Sequence, residues 1–432
     1  MSVSCILPEW DTAFLGNAAF TSKRNRELAG IISGRGILSI TELINGIEVR
    51  SNSFIGRVDL GDFTIHVLPK LNGMPLVRLL SYAYGLRDLS LFDKAQYPIG
   101  DAGLFDLLSY ALHGAVEQML RRGTAKGYRY RSGDLAAIRG RIDFARVAAL
   151  GGITAETLPC HYHRRESDIL LNQVLLAGLR LAHGMANDIN LKHALSKSIG
   201  ILAESVSPVK LDGGVLARAK RTVSRMTDEY EPVISIIEML YTANAPVLET
   251  QDGSFALPGF FFDMNLFFEA LVSKLLKTLP DEYTMIDQYH LKHLFAYDPR
   301  NNPNKRRDPV PRPDFAIRRN NRVTHLLDAK YRDIWAGGLP NNMLYQLAIY
   351  ALSGVGGYRA TIIYPALTDE PKPQYIDIFD PATGRKQACV GLVPVNLMKI
   401  SDLLSGNKMR EISCYMTRIA MGDDFRASQS VS

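Results

Sequence analysis

Two carboxylates and one amine in the second half of the chain are spaced so that they could converge on one point. The segment LLDAKY carries Asp328 and Lys330, and Asp314 follows Pro313 fourteen residues before Asp328. Side chains on a β-strand alternate between faces, so Asp328 and Lys330 would point to the same side, roughly 7 Å apart. Carboxylates bind Mg²⁺ or Mn²⁺, and a lysine beside the ion can orient water or stabilise developing charge. This set fits hydrolysis of a phosphodiester bond.

A third carboxylate and two further polar residues accompany this set. Glu269 lies on or beside the apolar face of a predicted helix, where a carboxylate is costly unless a metal ion or its bound water is present. Gln346 and Tyr350 are spaced i, i+4 and therefore share one face of a later helix. We expect Glu269, Asp314 and Asp328 to hold a metal ion, with Lys330 as their catalytic partner.

The segment between Arg300 and Arg322 is basic, with eight Arg or Lys residues opposed only by Asp308 and Asp314. A charge run of this kind is usually a solvated loop. This one enters the strand that carries Asp314, so contact with phosphates is at least as good an interpretation. The residues expected to contact nucleic acid are Lys305, Arg306, Arg307 and Arg312.

Each motif alone has an ordinary structural explanation. An Asp-x-Lys strand is commonly a surface ion pair, and Pro-Asp is usually a turn. A half-buried Glu is more often paired with Arg than with a metal ion, and Gln and Tyr at i, i+4 usually mark the edge of a packed helix. The joint occurrence of these motifs, in the order that one active site requires, favours the catalytic interpretation.

The elements around these residues follow the pattern of an α/β domain. Asp263 can cap the helix that carries Glu269. We therefore predict a mixed sheet flanked by helices, in which neighbouring strands present Asp314, Asp328 and Lys330. The predicted order is a helix at 263–279, strands at 283–289, 314–317 and 323–331, a helix at 341–354 and a strand at 358–365.

The first 250 residues have a different organisation. Strand-like patterns dominate the beginning and include a hairpin at 54–68 with a tight turn at Gly61-Asp62. Helical patterns follow at about 101–123, 168–187, 189–204 and 214–243, with Asp101 and Asp168 as expected caps. The predicted division of this multi-domain α+β chain is a β-rich partner-docking region at 1–95, a mainly helical region at 96–251, the catalytic domain at 252–420 and a flexible tail at 421–432.

Composition sets weak limits on function. The 432 residues carry a net charge of +6, which permits a polyanionic partner without requiring one. No signal peptide, long apolar stretch or CxxC pair is present, so a reduced, cytoplasmic protein without a membrane partner is expected. The run Cys160-His161-Tyr162-His163 lacks a second pair of ligands and is a poor metal site.

In combination these blocks resemble the McrC family, the nuclease subunits of McrBC-type modification-dependent (type IV) restriction systems within the PD-(D/E)xK nuclease superfamily. The segments MNLFFEALV, RPDFAI, LLDAKYR and YQLAIYA resemble the nuclease blocks in order. IGRVDLGDFTIHVLPK, LVRLLSYAYGL, RGRIDFAR and SDILLNQVLLAGL resemble the N-terminal and middle blocks. The resemblance covers most of residues 50–365, and no motif can be transferred to 1–50 or 370–432.

The resemblance implies a restriction-endonuclease-like core that cuts DNA, in these systems modified DNA, with Mg²⁺ or Mn²⁺, in defence against viruses. It also implies a partner, a McrB-like AAA+ GTPase hexamer whose GTP hydrolysis the subunit stimulates. The chain has no GxxxxGK[ST] motif, which agrees with the nucleotide being bound by another chain. The residues that match are Asp314, Asp328 and Lys330 for the PD…DxK motif, Glu269 for the helix carboxylate, and Gln346 and Tyr350 for the QxxxY motif, which contacts DNA or braces the site.

Two alternatives stay open at this point. The chain could be a nuclease of similar fold that acts alone or with a different motor. It could also be a catalytically silent adaptor that only binds and stimulates a motor NTPase. The intact set of Glu269, Asp314, Asp328 and Lys330 argues against a silent adaptor.

Overall fold

The computed structural model describes residues 3–71, 73–84, 104–150, 156–244, 247–250, 253–256 and 259–422. Contacts divide the chain into two compact units, one made of residues 1–89 with 246–432 and the other of residues 90–245. The domain division expected at 95 and 251 stays a prediction. The N-terminal strands share a unit with the C-terminal α/β region. The flexible tail expected at 421–432 lies outside the described residues from residue 423 onward.

The N-terminal part of the first unit contains six strands and two helices among its described residues. β2, β4 and β3 form a three-stranded antiparallel sheet, and β1 pairs in parallel with β6 in a second sheet. The elements are β1 (Val3–Pro8), β2 (Thr12–Gly16), α1 (Lys23–Gly34), β3 (Leu38–Leu43), β4 (Gly46–Ser51), β5 (Phe54–Asp59), β6 (Phe63–Leu68) and α2 (Gly73–Tyr84).

The predicted hairpin at 54–68 is confirmed. β5 and β6 pair antiparallel, and the Leu60 N–H donates to the Phe63 carbonyl at 3.0 Å across a two-residue turn. Gly61 takes a φ of +81° in that turn, a conformation that glycine adopts without strain.

The second unit is mainly helical among its described residues. Its three-stranded sheet has the order β7-β9-β8, and buried Tyr230 donates a hydrogen bond to Asn172 at 2.7 Å in the helical core. The elements are α3 (Leu104–Arg122), β7 (Gly127–Leu135), β8 (Arg141–Ile142), α4 (Phe144–Ala149), β9 (Leu158–Glu166), α5 (Leu170–Met185), α6 (Ile189–Ala203), α7 (Gly213–Thr222) and α8 (Tyr230–Asn244).

One expectation for this unit is wrong, and one cannot be assessed. Asp168 does not cap α5, because Ile169 occupies the cap position and the Asp168 carboxylate instead accepts hydrogen bonds from Gln173 and Ser207. The helical pattern at about 214–243 forms two helices, α7 and α8. The Ser224 N–H donates to the Thr227 hydroxyl at 2.9 Å between them, a local bond that competes with helix formation. The cap expected at Asp101 lies outside the described residues.

The C-terminal part of the chain begins with a strand that joins the N-terminal sheet. β10 (Val247–Thr250) and β11 (Gly253–Ala256) form a hairpin, and β12 (Gly259–Asp263) then pairs antiparallel with β5. At Gly56 a Cβ atom would lie 2.1 Å from the Phe260 carbonyl oxygen, so only glycine allows the two strands to approach this closely. The sheet order is β1-β6-β5-β12.

The α/β region follows in the predicted order of helix, three strands, helix and strand. Its six-stranded sheet has the order β13-β14-β15-β16-β18-β17; β15, β16 and β18 are parallel, and the other pairings are antiparallel. The elements are α9 (Met264–Leu276), β13 (Tyr283–Asp287), β14 (Phe315–Arg319), β15 (Arg322–Ala329), α10 (Ile334–Gly337), α11 (Asn341–Leu352), β16 (Arg359–Ala366), β17 (Gln374–Phe379), β18 (Lys386–Asn396), α12 (Leu397–Ser405) and α13 (Met409–Met421).

Helices cover the sheet around β15. α11 packs on the face that includes Leu326 and Ile362, through Leu347 and its neighbours. Tyr331, which follows β15 on the alternate face, contacts Phe268 of α9 with the ring centroids 5.9 Å apart. The mixed sheet flanked by helices is therefore observed.

Candidate active site

The end of β15 carries the expected acid and amine. Asp328 is only 2% exposed, and its register partner on β16 is Ile362. The Lys330 N–H donates to the Ile363 carbonyl at 2.9 Å, so both residues are fixed by pairing with β16. The Lys330 Nζ lies 2.8 Å from Asp328 Oδ2, which shows that the two side chains share one face as predicted.

Asp314 joins this pair from the neighbouring strand. It directly precedes β14, whose Phe315 is the register partner of Leu327 on β15. Asp314 Oδ2 accepts a hydrogen bond from the Ala329 N–H at 2.9 Å and lies 3.7 Å from the Lys330 Nζ. The structure therefore brings two carboxylates and one ammonium together at one end of β15.

Burial and neighbouring charge alter the protonation of this cluster. Burial, with the negative charge of Asp328, raises the pKa of Asp314 to about 7, although Lys330 and the Ala329 N–H act in the opposite direction. Burial opposes the charged form of Lys330, but the carboxylates of Asp328 and Asp314 outweigh it and raise the lysine pKa. Lys330 is therefore a protonated hydrogen-bond donor at neutral pH.

Glu269 on α9 lies at the edge of the same cluster, and its negative charge contributes to the raised pKa of Asp314. Its Oε1 accepts a hydrogen bond from Gln288 Nε2 at 2.6 Å. The Gln288 N–H in turn donates to the Asp314 carbonyl at 2.7 Å. Gln288 thus connects the Glu269 carboxylate to the backbone of Asp314, a contact that sequence reasoning missed.

The predicted pair on α11 also reaches the cluster. Tyr350 is buried, and burial and then the charge of Asp328 raise its pKa. Gln346 Nε2 donates to the Tyr350 hydroxyl at 2.7 Å. Gln346 is exposed, so the face of α11 that carries Gln346 and Tyr350 extends from the buried aspartates to solvent.

The basic loop enters the site through its last residues. The Gln288 and Leu291 N–H groups donate to the carbonyls of Asp314 and Pro311, so the two ends of the loop run side by side. The four side chains expected to contact nucleic acid are exposed, and none of them makes an ion pair with another described residue: Lys305, Arg306, Arg307 and Arg312. Positive charge therefore lies within two residues of Asp314.

The residues present fit a divalent cation. Asp328 Oδ1 is buried and has no hydrogen-bond partner among the described residues. A buried carboxylate oxygen is costly unless a hydrogen-bond donor or a cation contacts it. When ionised, Glu269, Asp314 and Asp328 outnumber the single ammonium of Lys330 by two charges. In the described part of the chain no three acidic, His or Cys side chains form a ready metal cluster. Asp314 and Asp328 are therefore the core of the candidate site, and the metal role of Glu269 stays a prediction.

Sequence comparison places this geometry in a known family. The family model described as "McrBC 5-methylcytosine restriction system component" matches residues 49–365, a span that is well over half of the chain and includes all six expected site residues outside the basic loop. The chain belongs to the McrBC family. No curated protein shows a significant sequence match to it.

One solved structure shares the fold of this chain, and a second is similar to part of it. A refined half-complex from a tetradecameric assembly of Thermococcus gammatolerans McrB AAA+ hexamers with bound McrC is similar, with 17% identity, a TM-score of 0.63, and coverage of 94% of this chain and 100% of that chain. The cryo-EM structure of the Thermococcus gammatolerans McrBC complex gives 16% identity, a TM-score of 0.48, and coverage of 64% and 87%. The first match shows a common fold over nearly the whole chain. Of the helices described here, none is both long and apolar enough to cross a membrane.

Sequence reasoning also missed a buried contact behind β15 of this McrBC-family chain. The Tyr331 hydroxyl donates to Glu9 Oε1 at 2.8 Å, and the Lys70 N–H donates to the same oxygen at 2.8 Å. Glu9 is fully buried, and burial raises its pKa. Residues that follow β1 and β6 therefore hold the residue that directly follows Lys330.

Proposed function

We propose that this chain is the McrC-type nuclease subunit of a McrBC restriction system, a Mg²⁺-dependent endonuclease that hydrolyses phosphodiester bonds of modified DNA. The observation that carries the proposal is the convergence of Asp314, Asp328 and Lys330 around a buried, unpartnered oxygen of Asp328. The order of elements around them is that expected of a PD-(D/E)xK core. Family membership supports the same assignment, because the matching model describes a component of a 5-methylcytosine restriction system.

In this proposal Asp314 and Asp328 hold the divalent cation, with Glu269 near enough to add negative charge. The bound cation supplies neutralisation of phosphate charge and a more acidic water molecule. Lys330, kept protonated by the two aspartates, donates a hydrogen bond to the attacking water or to charge that develops on the phosphate. Tyr350 and Gln346 brace the α11 side of the cluster, and the Gln346 side chain extends to solvent, where DNA would lie.

The proposed DNA contact uses the loop that ends at Asp314. Four of its exposed cations would contact backbone phosphates near the scissile bond: Lys305, Arg306, Arg307 and Arg312. Such contacts position the substrate without reading its sequence. Any sequence preference must therefore come from other contacts.

The proposed partner is an AAA+ GTPase of the McrB type. The similar solved structure contains McrB AAA+ hexamers with bound McrC, and this chain shares its fold over 94% of its length. We propose that the chain stimulates GTP hydrolysis by such a partner and cuts DNA when activated by it. This assignment agrees with the missing P-loop motif in the chain itself.

The test is to compare Asp328→Asn with the wild type in a cleavage assay on methylated DNA, with the motor, GTP and Mg²⁺ present. Asp328→Asn should reduce cleavage at least about 10²-fold, because it removes a charged metal ligand while preserving shape. Asp377→Asn, on exposed β17, removes a carboxylate that pairs with Lys386 at 2.6 Å in the same sheet and should leave cleavage unchanged.

GTP turnover measured on the same samples separates the proposal from a silent adaptor. Asp328→Asn should still stimulate the motor, since the substitution does not change the chain's outer surface. Near wild-type cleavage by Asp328→Asn would contradict the active-site assignment. A wild-type chain that stimulates GTP hydrolysis but never cuts DNA would support the adaptor instead.

A further inference from the structure

A cavity of about 510 Å³ lies beside the candidate nuclease site. Its walls come from the residues that follow β1 and β15, from the end of β16 and from the start of α12. Ligands of α/β proteins commonly bind at the carboxyl ends of parallel strands, which is where this cavity lies. The chain has only two tryptophans, Trp10 and Trp335, and both line it.

Two polar groups in the cavity wall lack partners. Glu9 lines the cavity, its Oε1 is used by Tyr331 and Lys70, and its Oε2 is buried without a hydrogen-bond partner among the described residues. The indole Nε1 of adjacent Trp10 is likewise buried and unpartnered within the described chain. The wall therefore offers one free acceptor next to one free donor, and buried polar groups of this kind call for a partner.

Trp10 is also held in an unfavourable backbone conformation. Its φ is +59°, in the left-handed region that bulky residues rarely occupy. The Arg332 guanidinium lies over its ring, 5.1 Å from the centroid. Strain of this kind persists where the surroundings enforce it, and it is common at ligand-binding positions. The indole is thus held in the cavity wall with the Arg332 guanidinium over its ring.

We propose that this cavity binds an unstacked nucleotide of the DNA substrate, with a base that carries an amino group. Indole rings stack on nucleobases of any sequence, which accounts for two tryptophans in one cavity. Glu9 Oε2 would accept from the amino group, and Trp10 Nε1 would donate to the neighbouring ring nitrogen or carbonyl. Thymine fits less well, because its single N–H is flanked by two carbonyl oxygens that the Glu9 carboxylate repels. Arg332 and exposed Lys70 provide positive charge for the attached phosphate.

The inference rests on the proposed nuclease function for the identity of its ligand. Tyr331 and Arg332 directly follow Lys330, and Tyr331 faces the other side of β15, so a nucleotide in the cavity would lie across the strand from the candidate metal site. Bases stacked in a duplex cannot reach an enclosed pocket, so the nucleotide must leave the helix, as in enzymes that flip bases. The cavity would then help to select a distorted or opened substrate.

Intrinsic tryptophan fluorescence tests the proposal directly, since every tryptophan of the chain lines the cavity. The full chain, with EDTA to prevent cleavage, is titrated with dCMP, 5-methyl-dCMP, dAMP, dGMP, TMP and deoxyribose 5-phosphate. Free N-acetyltryptophanamide corrects for light absorbed by the bases. The amino-bearing nucleotides should change the fluorescence saturably with a Kd of about 1 mM or tighter. TMP should bind about tenfold more weakly, and deoxyribose phosphate should have no effect.

Glu9→Gln gives the sharpest variant. Two donors hold Oε1 in place, so the second position of the side chain changes from an acceptor to an amide donor. The preference should therefore reverse, with TMP binding better than dCMP. Trp335 is 38% exposed. Trp335→Ala should weaken the binding of every nucleotide about tenfold without changing the order of their affinities. In this variant the fluorescence comes from Trp10 alone. Thermal unfolding of each variant confirms that it is folded.

The proposal is overturned if quenching is linear and equal for all nucleotides, or if Glu9→Gln and Trp335→Ala leave it unchanged. It is also overturned if only the motor subunit, and no nucleotide, alters the fluorescence, since the cavity would then be a protein contact. Because the readout needs no cleavage, nucleotide binding without nuclease activity would refute the proposed function alone. Cleavage without nucleotide binding would refute this inference alone.

Discussion

Protons and the metal ion should compete for Asp314. Burial and the charge of Asp328 raise its pKa to about 7, so the protonated form persists almost to neutral pH in the metal-free protein. A carboxyl group must be ionised to bind a metal ion. Metal affinity should therefore be highest above that pKa and fall as pH decreases. The expected loss is about tenfold one pH unit below the pKa and about a hundredfold two units below it.

Calorimetric titration with Mn²⁺ across this pH range measures the loss. Repeating it in buffers of different ionisation enthalpy should show about one proton released per metal ion below the pKa and none well above it. Asp314→Asn is the matched control, because its amide oxygen can still accept from the Ala329 N–H. It should bind the metal more weakly, with a flat pH profile. A flat profile in the wild type, or an unchanged slope in Asp314→Asn, would refute the reasoning.

The same protonation should affect stability in the opposite direction. The unfolded pKa of an aspartate is about 3.9, well below the folded value of about 7 for Asp314. Between these values the folded state binds more protons, so the unfolding free energy of the metal-free protein falls as pH rises. The difference between wild type and Asp314→Asn isolates this effect, on the order of 2–4 kcal/mol. Added Mn²⁺ should reverse it.

Three further predictions concern single parts of the site. Lys330→Ala should reduce the cleavage rate at least about 10²-fold but keep much of the Mn²⁺ affinity, because an ammonium group is not a metal ligand. If calorimetry shows that the variant no longer binds Mn²⁺, the role of the lysine is structural. Tyr331→Phe should lower the unfolding free energy in urea by about 1–2 kcal/mol, because Glu9 loses a buried donor; exposed Tyr128→Phe is its control, and equal effects would contradict the assignment. Neutralising Lys305, Arg306 and Arg307 together should reduce the slope of log DNA affinity against log salt concentration by about 1 for each phosphate contact that is lost. An unchanged slope would mean that the loop is only solvated and does not contact DNA.

The parts of the site that local geometry controls could be predicted from the sequence. Strand alternation placed Asp328 and Lys330 on one face, and their 2.8 Å contact confirms it. Helical spacing paired Gln346 with Tyr350, and they are hydrogen-bonded. Asp263 caps α9 as expected by accepting from the Asn265 N–H. These arrangements depend on neighbours within a few residues, so the periodicity of the chain is sufficient to find them.

Contacts that depend on tertiary structure could not be predicted. Glu9 and Tyr331 are 322 residues apart, and no pattern in either segment indicates a buried acid opposite a phenol. Gln288 reaches Glu269 from a backbone with a φ of +50°, a conformation that the sequence does not indicate for glutamine. Asp168 resembles a helix cap, but tertiary hydrogen bonds from Ser207 take its carboxylate away from the helix. In each case a distant partner decides what a side chain does.

The same distant contacts explain why the N-terminal strands and the α/β region form one unit. β12 completes the N-terminal sheet immediately before α9 begins at Met264. Glu9, beyond β1, holds Tyr331 at the end of β15. A force that moved β1 or the chain after β6 would therefore act on the residue next to Lys330 without any contact to the candidate metal site. If the N-terminal region docks on a motor, as the family resemblance implies, this buried hydrogen bond would connect the docking region to the residue that follows Lys330.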